Sequence, residues 1–356
     1  MFLNFYGLRE QPFGVTPDPR YLYLFGIHGQ TLASLLYAIE SNLGFSALIA
    51  QPGLGKTTLL FHILEKFRSS AVTAFVFQTQ CNSTGFVKYV LQELDIQLAD
   101  SDQATMHQQL EQALVNAALS GRQVILIIDE AQNLDVQVLE TVRLLSNFET
   151  RRSKLLHVIL AGQPSLAKQL DRPELAQLRQ RIAVTGWLHP LGPDEVGRYI
   201  EHRLRVAGLI AASPFGEAAI EMIAINSGGI PRNINRICFN ALSIGYSMGR
   251  NEIDEELVEE AASGFGPQLQ AWPQHVSGSS ADLSTTNGVV HGSVLPVVER
   301  TPEPAAAPVT DDGSQQPLPV RTARKRLIIT AGGEFRTAAF TENDSASEGQ
   351  GVQDGR

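Results

Sequence analysis

Lys56 and Thr57 close the run Ala50, Gln51, Pro52, Gly53, Leu54, Gly55, Lys56, Thr57, which has the spacing of a phosphate-binding loop. It stands between an apolar strand pattern and a helical one, the context such a loop requires. The backbone amides of Gly53, Leu54, Gly55 and Lys56 are expected to point at the β-phosphate of a nucleotide, aided by the partial positive charge of the helix N-terminus. Lys56 would bridge the β- and γ-phosphates, Thr57 would offer its hydroxyl to magnesium, and Gln51, Pro52 and Thr58 would complete the cradle. Ala50 replaces the first glycine of the usual pattern, and the extended end of a strand tolerates alanine. A second pair, Asp129 and Glu130, follows the apolar run Val124 to Ile128. Asp129 is expected to hold magnesium through its water shell, and Glu130 to orient and polarise an attacking water. The cofactors implied are ATP and Mg2+, and the chemistry is hydrolysis of ATP to ADP and phosphate.

Positioning these groups calls for a sheet. From Phe45 to about Gly186, short β-prone runs (Phe45 to Ala50, Val72 to Phe77, Val124 to Ile128, His157 to Ala161, Ile182 to Thr185) alternate with helical patterns. That alternation predicts an α/β domain with a parallel sheet and crossover helices on both faces. The unbroken apolar run Val124 to Ile128 reads as a central strand covered on both sides. Ligands in such sheets bind beyond the carboxyl ends of the strands, where Lys56, Thr57, Asp129 and Glu130 fall.

After Pro190 the strand signals stop. Helical patterns cover Asp194 to Val206, Phe215 to Asn226, Pro231 to Met248 and Asp254 to Ala262. Ser213 and Pro214 read as an N-cap followed by a first-turn proline, Gly228 and Gly229 as a stop, and Pro231 as a second start. A nucleotide-binding domain over residues 1–190 and a helical lid over 191–263 are expected. From about Gly264 to Arg356, Ser, Gly, Pro, Thr and Gln dominate and the expectation is a disordered tail, interrupted by the basic cluster Arg321 to Arg326 and a β-prone triplet.

A net charge of -9 and a pI near 5.4 give no general basic surface for nucleic acid or anionic lipid. The cysteines, Cys81 and Cys238, are expected as buried reduced thiols. The N-terminus lacks the pattern of a signal peptide, and no window approaches a membrane span, so a cytoplasmic protein is expected.

With these motifs in hand, residues 1 to about 263 resemble AAA+ ATPases of the general secretion pathway protein A, or ExeA-like, family. The resemblance rests on the run from Tyr6 to Phe13, on Thr16 to Leu24 with His28, on Asp129 to Gln132, on Leu144 to Thr150, on Leu160 to Pro164 and on Gln177 to Ile182. It implies that Phe13 to Tyr23 lies near the adenine. Threaded as AAA+ proteins are, the fourth strand would set Gln163 beside the γ-phosphate as a sensor. Arg179 and Arg181 precede the fifth strand, from which either would reach a neighbouring subunit's γ-phosphate as an arginine finger. Arg232 lies in the first turn of a helix, where the dipole disfavours a cation; a nucleotide phosphate would answer that, making it a second sensor. The resemblance implies a homo-oligomeric ring acting on a protein partner in secretion or polysaccharide export. Related transposition and initiator ATPases bind DNA, an alternative that the acidic charge disfavours; a nucleotide-dependent scaffold with little turnover is a further one. No transmembrane helix or peptidoglycan-binding domain, typical of the secretion protein, is expected in the tail.

Overall fold

The computed structural model describes residues 2–24, 26–77, 80–97, 102–145, 147–149, 154–263 and, for backbone only, 324–329 and 335–340. In the first unit, α1 (Phe2–Phe5) and α2 (Gly26–Glu40) precede an alternation of strands and helices. This runs β1 (Phe45–Ala50), α3 (Lys56–Phe67), β2 (Ala71–Val76), α4 (Ser83–Glu93), α5 (Gln103–Leu119), β3 (Gln123–Ile128), α6 (Val136–Leu145), β4 (Leu156–Gly162), α7 (Pro164–Leu170), α8 (Ala176–Arg181) and β5 (Ile182–Leu188). Four helices follow: α9 (Pro193–Val206), α10 (Glu217–Ser227), α11 (Pro231–Ser247) and α12 (Glu255–Ser263).

All pairings in the five-stranded sheet are parallel, in the order β2-β3-β4-β1-β5. Every residue of β1 and β4 is buried, as is β3 from Val124 onward, because these strands are covered on both faces. Continuous apolar sequence is the consequence. β5, at an edge, alternates instead, exposing Ala183, Thr185 and Trp187. The strand order makes β1, β4 and β3 neighbours, so Ala50, Gly162 and Ile128 end side by side and the loops after them share one rim.

Helices α9 to α12 build a second core around Ile200, Ile234, Ile237 and Leu242. Tyr6, Leu8, Phe13 and Tyr21, from the N-terminal segment expected with the sheet, join this core. The expected N-cap at Ser213 is not where α10 begins. Phe215 bridges to Ile253, and the Ile253 amide donates to the Pro214 carbonyl at 2.7 Å. That pairing holds the chain extended until Gly216, which caps the helix. Gly228 ends α10 in the left-handed conformation and Pro231 opens α11, as expected. Cys238 is buried, whereas Cys81 is only half-buried.

In the second unit, β6 (Arg324–Ile329) and β7 (Phe335–Phe340) pair antiparallel, with Arg324 opposite Phe340. This hairpin stands within the stretch expected to be disordered, and its first strand contains the β-prone triplet Leu327 to Ile329. The rest of the expected tail, including Arg321, lies outside the described residues.

Candidate functional site

The phosphate loop owes its shape to two glycines in the left-handed region, Gly53 at φ 90° and Gly55 at φ 86°. At Gly53 there is a second reason: a Cβ would stand 2.9 Å from Cβ of Arg232 and 3.0 Å from Cγ2 of Ile230. The lid therefore closes against the loop there, and the Arg232 amide donates to the Gly53 carbonyl at 3.1 Å. Ala50 continues β1, paired with Leu188, and needs no glycine.

Lys56 opens α3 and is buried, its Nζ 2.6 Å from Oδ1 of Asp129 and 2.7 Å from Oε1 of Glu130. The Thr57 hydroxyl donates to Oδ2 of Asp129 at 3.0 Å. Glu130 has φ 53°, an uncommon conformation for this residue, held by its amide donating to Oδ1 of Asp129 at 2.8 Å. Its other oxygen, Oε2, accepts from Nε2 of Gln132 at 2.6 Å and from Nε2 of Gln163 at 3.2 Å. Burial raises the Glu130 pKa, but Lys56, Gln132 and Gln163 outweigh it, and the carboxyl is held below the ordinary range. The group is held as an anion, with donors on both of its oxygens.

Magnesium fits this corner. Thr57 and Asp129 converge as two hard oxygen ligands at the spot where the Lys56 ammonium already compensates the carboxylate. Mg2+ takes one or two protein oxygens and completes its octahedron with phosphate and water. Among the described residues no group of three or more His, Cys, Asp and Glu forms a dedicated cage.

The remaining sequence-derived candidates are dispersed. Gln163 is in the network, at the end of β4 and before Pro164. Gln51 and Pro52 begin the loop, while Thr58 lies one residue beyond Thr57 on α3. Arg232 is exposed and makes no ion pair among the described residues. Arg179, also exposed, pairs with exposed Asp171 at 3.1 Å, whereas Arg181 Nη1 donates to the Arg143 carbonyl at 3.0 Å and to Oδ1 of Asn147 at 2.8 Å.

Sequence reasoning did not assign a role to Gln132, although it lies within the Asp129 to Gln132 motif. His28 is buried beside the Leu54 backbone, its Nε2 lacking a hydrogen-bond partner among the described residues; burial lowers its pKa. The aromatic rings of the N-terminal segment are engaged by the lid: Phe13 against Phe215 at 6.0 Å, Tyr23 against Tyr199 at 5.9 Å, and Tyr21 beneath Arg203 at 4.5 Å.

Residues 39–170 match the family model described as an AAA domain. Over 254 residues the chain is 35% identical to general secretion pathway protein A of Aeromonas hydrophila, spanning 71% of this chain and 46% of that protein. It is 27% identical over 277 residues to an uncharacterised HTH-type transcriptional regulator of Methanocaldococcus jannaschii, spanning 67% of this chain and 66% of that one. The chain thus covers less than two thirds of either relative. Among solved structures, the ORC2 protein of Aeropyrum pernix, in ADPNP-ADP complexes, aligns with a TM-score of 0.55 at 19% identity over 72% of this chain and 71% of its own. Cdc6p of Pyrobaculum aerophilum gives a TM-score of 0.55 at 19% identity over 70% and 71%. These two likenesses concern the fold.

Proposed function

This chain belongs to the AAA+ ATPases, with its likeness to general secretion pathway protein A, and we propose that it couples magnesium-dependent ATP hydrolysis to conformational or assembly changes in a partner of a secretion or polysaccharide-export system. The observation that carries the reading is the convergence of Lys56, Thr57, Asp129, Glu130 and Gln163 at three neighbouring strand ends. Magnesium, held by Thr57 and Asp129, would neutralise charge on the β- and γ-phosphate oxygens. Lys56 leaves its two carboxylates for the phosphates, Gln163 meets the γ-phosphate, and Glu130 accepts a proton from the attacking water.

No helix among the described residues is long and apolar enough to cross a membrane. We assign the protein to the cytoplasm, with residues 1–190 as the nucleotide-binding domain and 191–263 as the lid, whose core is completed by Tyr6, Leu8, Phe13 and Tyr21 of the N-terminal segment. The hydrogen bond from Arg232 to Gly53 is the mechanical link: a phosphate that draws the Arg232 guanidinium inward also moves α11. In a homo-oligomeric ring Arg179 is the better finger. Its exposed partner Asp171 holds it weakly, by about 0–1 kcal/mol for such pairs, while Arg181 is anchored to α6 and the turn after it.

The test is ATP turnover over a protein concentration series with and without magnesium. Turnover that rises with concentration, disappears in Glu130→Gln with ATP binding retained, and falls in Arg179→Ala more than in Arg181→Ala supports the reading. Normal hydrolysis by Glu130→Gln refutes the site. A second reading, ATP-gated DNA binding, draws on the likeness to the HTH-type transcriptional regulator of Methanocaldococcus jannaschii. A salt-sensitive, ATP-dependent shift of duplex DNA would favour it, against the net charge of -9.

A further inference from the structure

β1 divides the rim of the sheet into two sides. On one lie β4 and β3, whose ends bring together Asp129, Glu130, Gln132 and Gln163, with Oε1 of Gln132 accepting from the Gln163 amide at 3.0 Å. On the other lies β5, and α2 packs against it. The Thr31 hydroxyl donates to the Trp187 carbonyl at 3.2 Å, and a Cβ on Gly186 would stand 2.5 Å from Cγ2 of Thr31. The phosphate loop joins the two sides. A triphosphate whose terminal group meets Lys56 and Gln163 on the first side extends its nucleoside towards the second.

His28, in the first turn of α2, stands on that second side and is only 7% exposed. It lies against the Leu54 backbone of the loop. The lid closes over the start of its helix, where a Cβ on Gly26 would stand 2.7 Å from Oε1 of Glu195 on α9. Glu195 and the exposed His189 are the titratable groups that act on the ring. Its Nε2 has no hydrogen-bond partner among the described residues, and a buried polar atom left in that state calls for a partner from outside the chain. Burial keeps the ring neutral, with one donor and one acceptor nitrogen. The hydrogen bond to the Leu54 backbone favours the protonated ring, as a carbonyl acceptor does. The nitrogen beside Leu54 therefore carries the proton, and Nε2 is the acceptor.

We infer that His28 reads the nucleobase, its Nε2 accepting from the exocyclic amino group of adenine and so selecting adenine over 6-oxopurine nucleotides. This rests on the nucleotide site proposed above. Adenine presents an amino donor at the edge where guanine and hypoxanthine present a carbonyl oxygen. Against an acceptor nitrogen that oxygen leaves both atoms desolvated and unpaired, so the discrimination comes from rejecting the wrong base as much as from binding the right one.

The experiment uses the full chain and measures equilibrium binding of ADP, IDP and GDP by calorimetry, for wild type, His28→Phe and His28→Gln, with thermal melts of each. IDP is the decisive probe, because its base has the size of adenine and differs along the edge that carries the amino group. Wild type is expected to bind ADP roughly 10-fold or more tightly than IDP. His28→Phe keeps a ring but no acceptor, and its affinities for ADP and IDP are expected to agree within about twofold. His28→Gln, whose amide can turn an N–H towards a carbonyl, is expected to bind IDP more tightly than wild type does; should His28→Phe fail to fold, this variant decides. A histidine that only packs α2 against the loop would weaken ADP and IDP equally, and an ADP-to-IDP ratio unchanged in the variants, or absent in wild type, overturns the inference. Lys56→Ala separates that failure from failure of the site. If wild type binds no nucleotide, or Lys56→Ala binds as wild type does, the site and the base reading fall together. If Lys56→Ala abolishes binding while the ratio ignores His28, the base reading falls alone.

Discussion

Lys56 and Arg203 are both buried cations, each 8% exposed, yet their surroundings differ in a way that separates catalysis from architecture. Lys56 stands against two carboxylates, Asp129 and Glu130, on the rim of the sheet. Arg203 has no carboxylate in an ion pair among the described residues: Nε donates to the Pro12 carbonyl at 2.5 Å, Nη1 to the Tyr199 hydroxyl at 3.1 Å, and its plane lies over Tyr21. Tyr199 in turn donates to Asn235 at 2.9 Å. The partners of Lys56 are anions that a phosphate can replace, so its burial is conditional on what occupies the loop. The partners of Arg203 are neutral and belong to the N-terminal segment and α9, which meet at the second core, so its burial is permanent. The difference teaches that a buried charge signals function when its partners are exchangeable and structure when they are fixed.

The sharpest test of that contrast is Lys56→Ala, expected to lower ATP turnover by about two to three orders of magnitude, the range for losing one preorganised charge donor. Phosphate release measures it, and a fall of less than tenfold would break the comparison. Next in size is a pH effect at another buried polar group, His157, which shares a hydrogen bond of 3.2 Å with Ser46 inside the sheet. Burial lowers its pKa from 6.5 to about 4, so the unfolded chain binds the proton first as pH falls. Folding stability contributed by neutral His157 is complete above 6.5 and is lost between 6.5 and about 4, by about 3 kcal/mol at 1.36 kcal/mol per unit. Urea unfolding of wild type and His157→Gln across that window checks this; parallel pH profiles would contradict it.

Arg203→Met is expected to cost about 2 kcal/mol of stability, since the Pro12 carbonyl and the Tyr199 hydroxyl lose a buried donor. Turnover per folded molecule should be retained, and a melt paired with active-site titration distinguishes the two; selective loss of turnover would place Arg203 on the catalytic side. Smallest is Ala50→Gly, which restores the usual loop pattern. Because Ala50 is an extended, paired strand residue, the glycine is expected to lower stability by about 0.5–1 kcal/mol and leave ATP affinity unchanged.

The same division runs through what could be read from the chain before its fold was known. The five strands, the phosphate loop and the acids after Val124 to Ile128 were legible because each is a short-range pattern: apolar runs, glycines at fixed offsets, charges at a strand end. The helical second half was legible for the same reason, apart from the start of α10, which a distant pairing between Phe215 and Ile253 delays. The amide bridge from Gln132 to Gln163, the contact of Arg232 with Gly53, the seating of Phe13 and Tyr21 in the lid core and the unlike settings of Arg179 and Arg181 were not. Each joins segments far apart in the chain, and only the strand order β2-β3-β4-β1-β5 and the packing of the lid against the loop set those distances. By itself the sequence determined which groups the site contains. The tertiary structure decided which of them touch, because hydrogen bonds of about 3 Å depend on how strand ends are juxtaposed, and local residue pattern carries no such information.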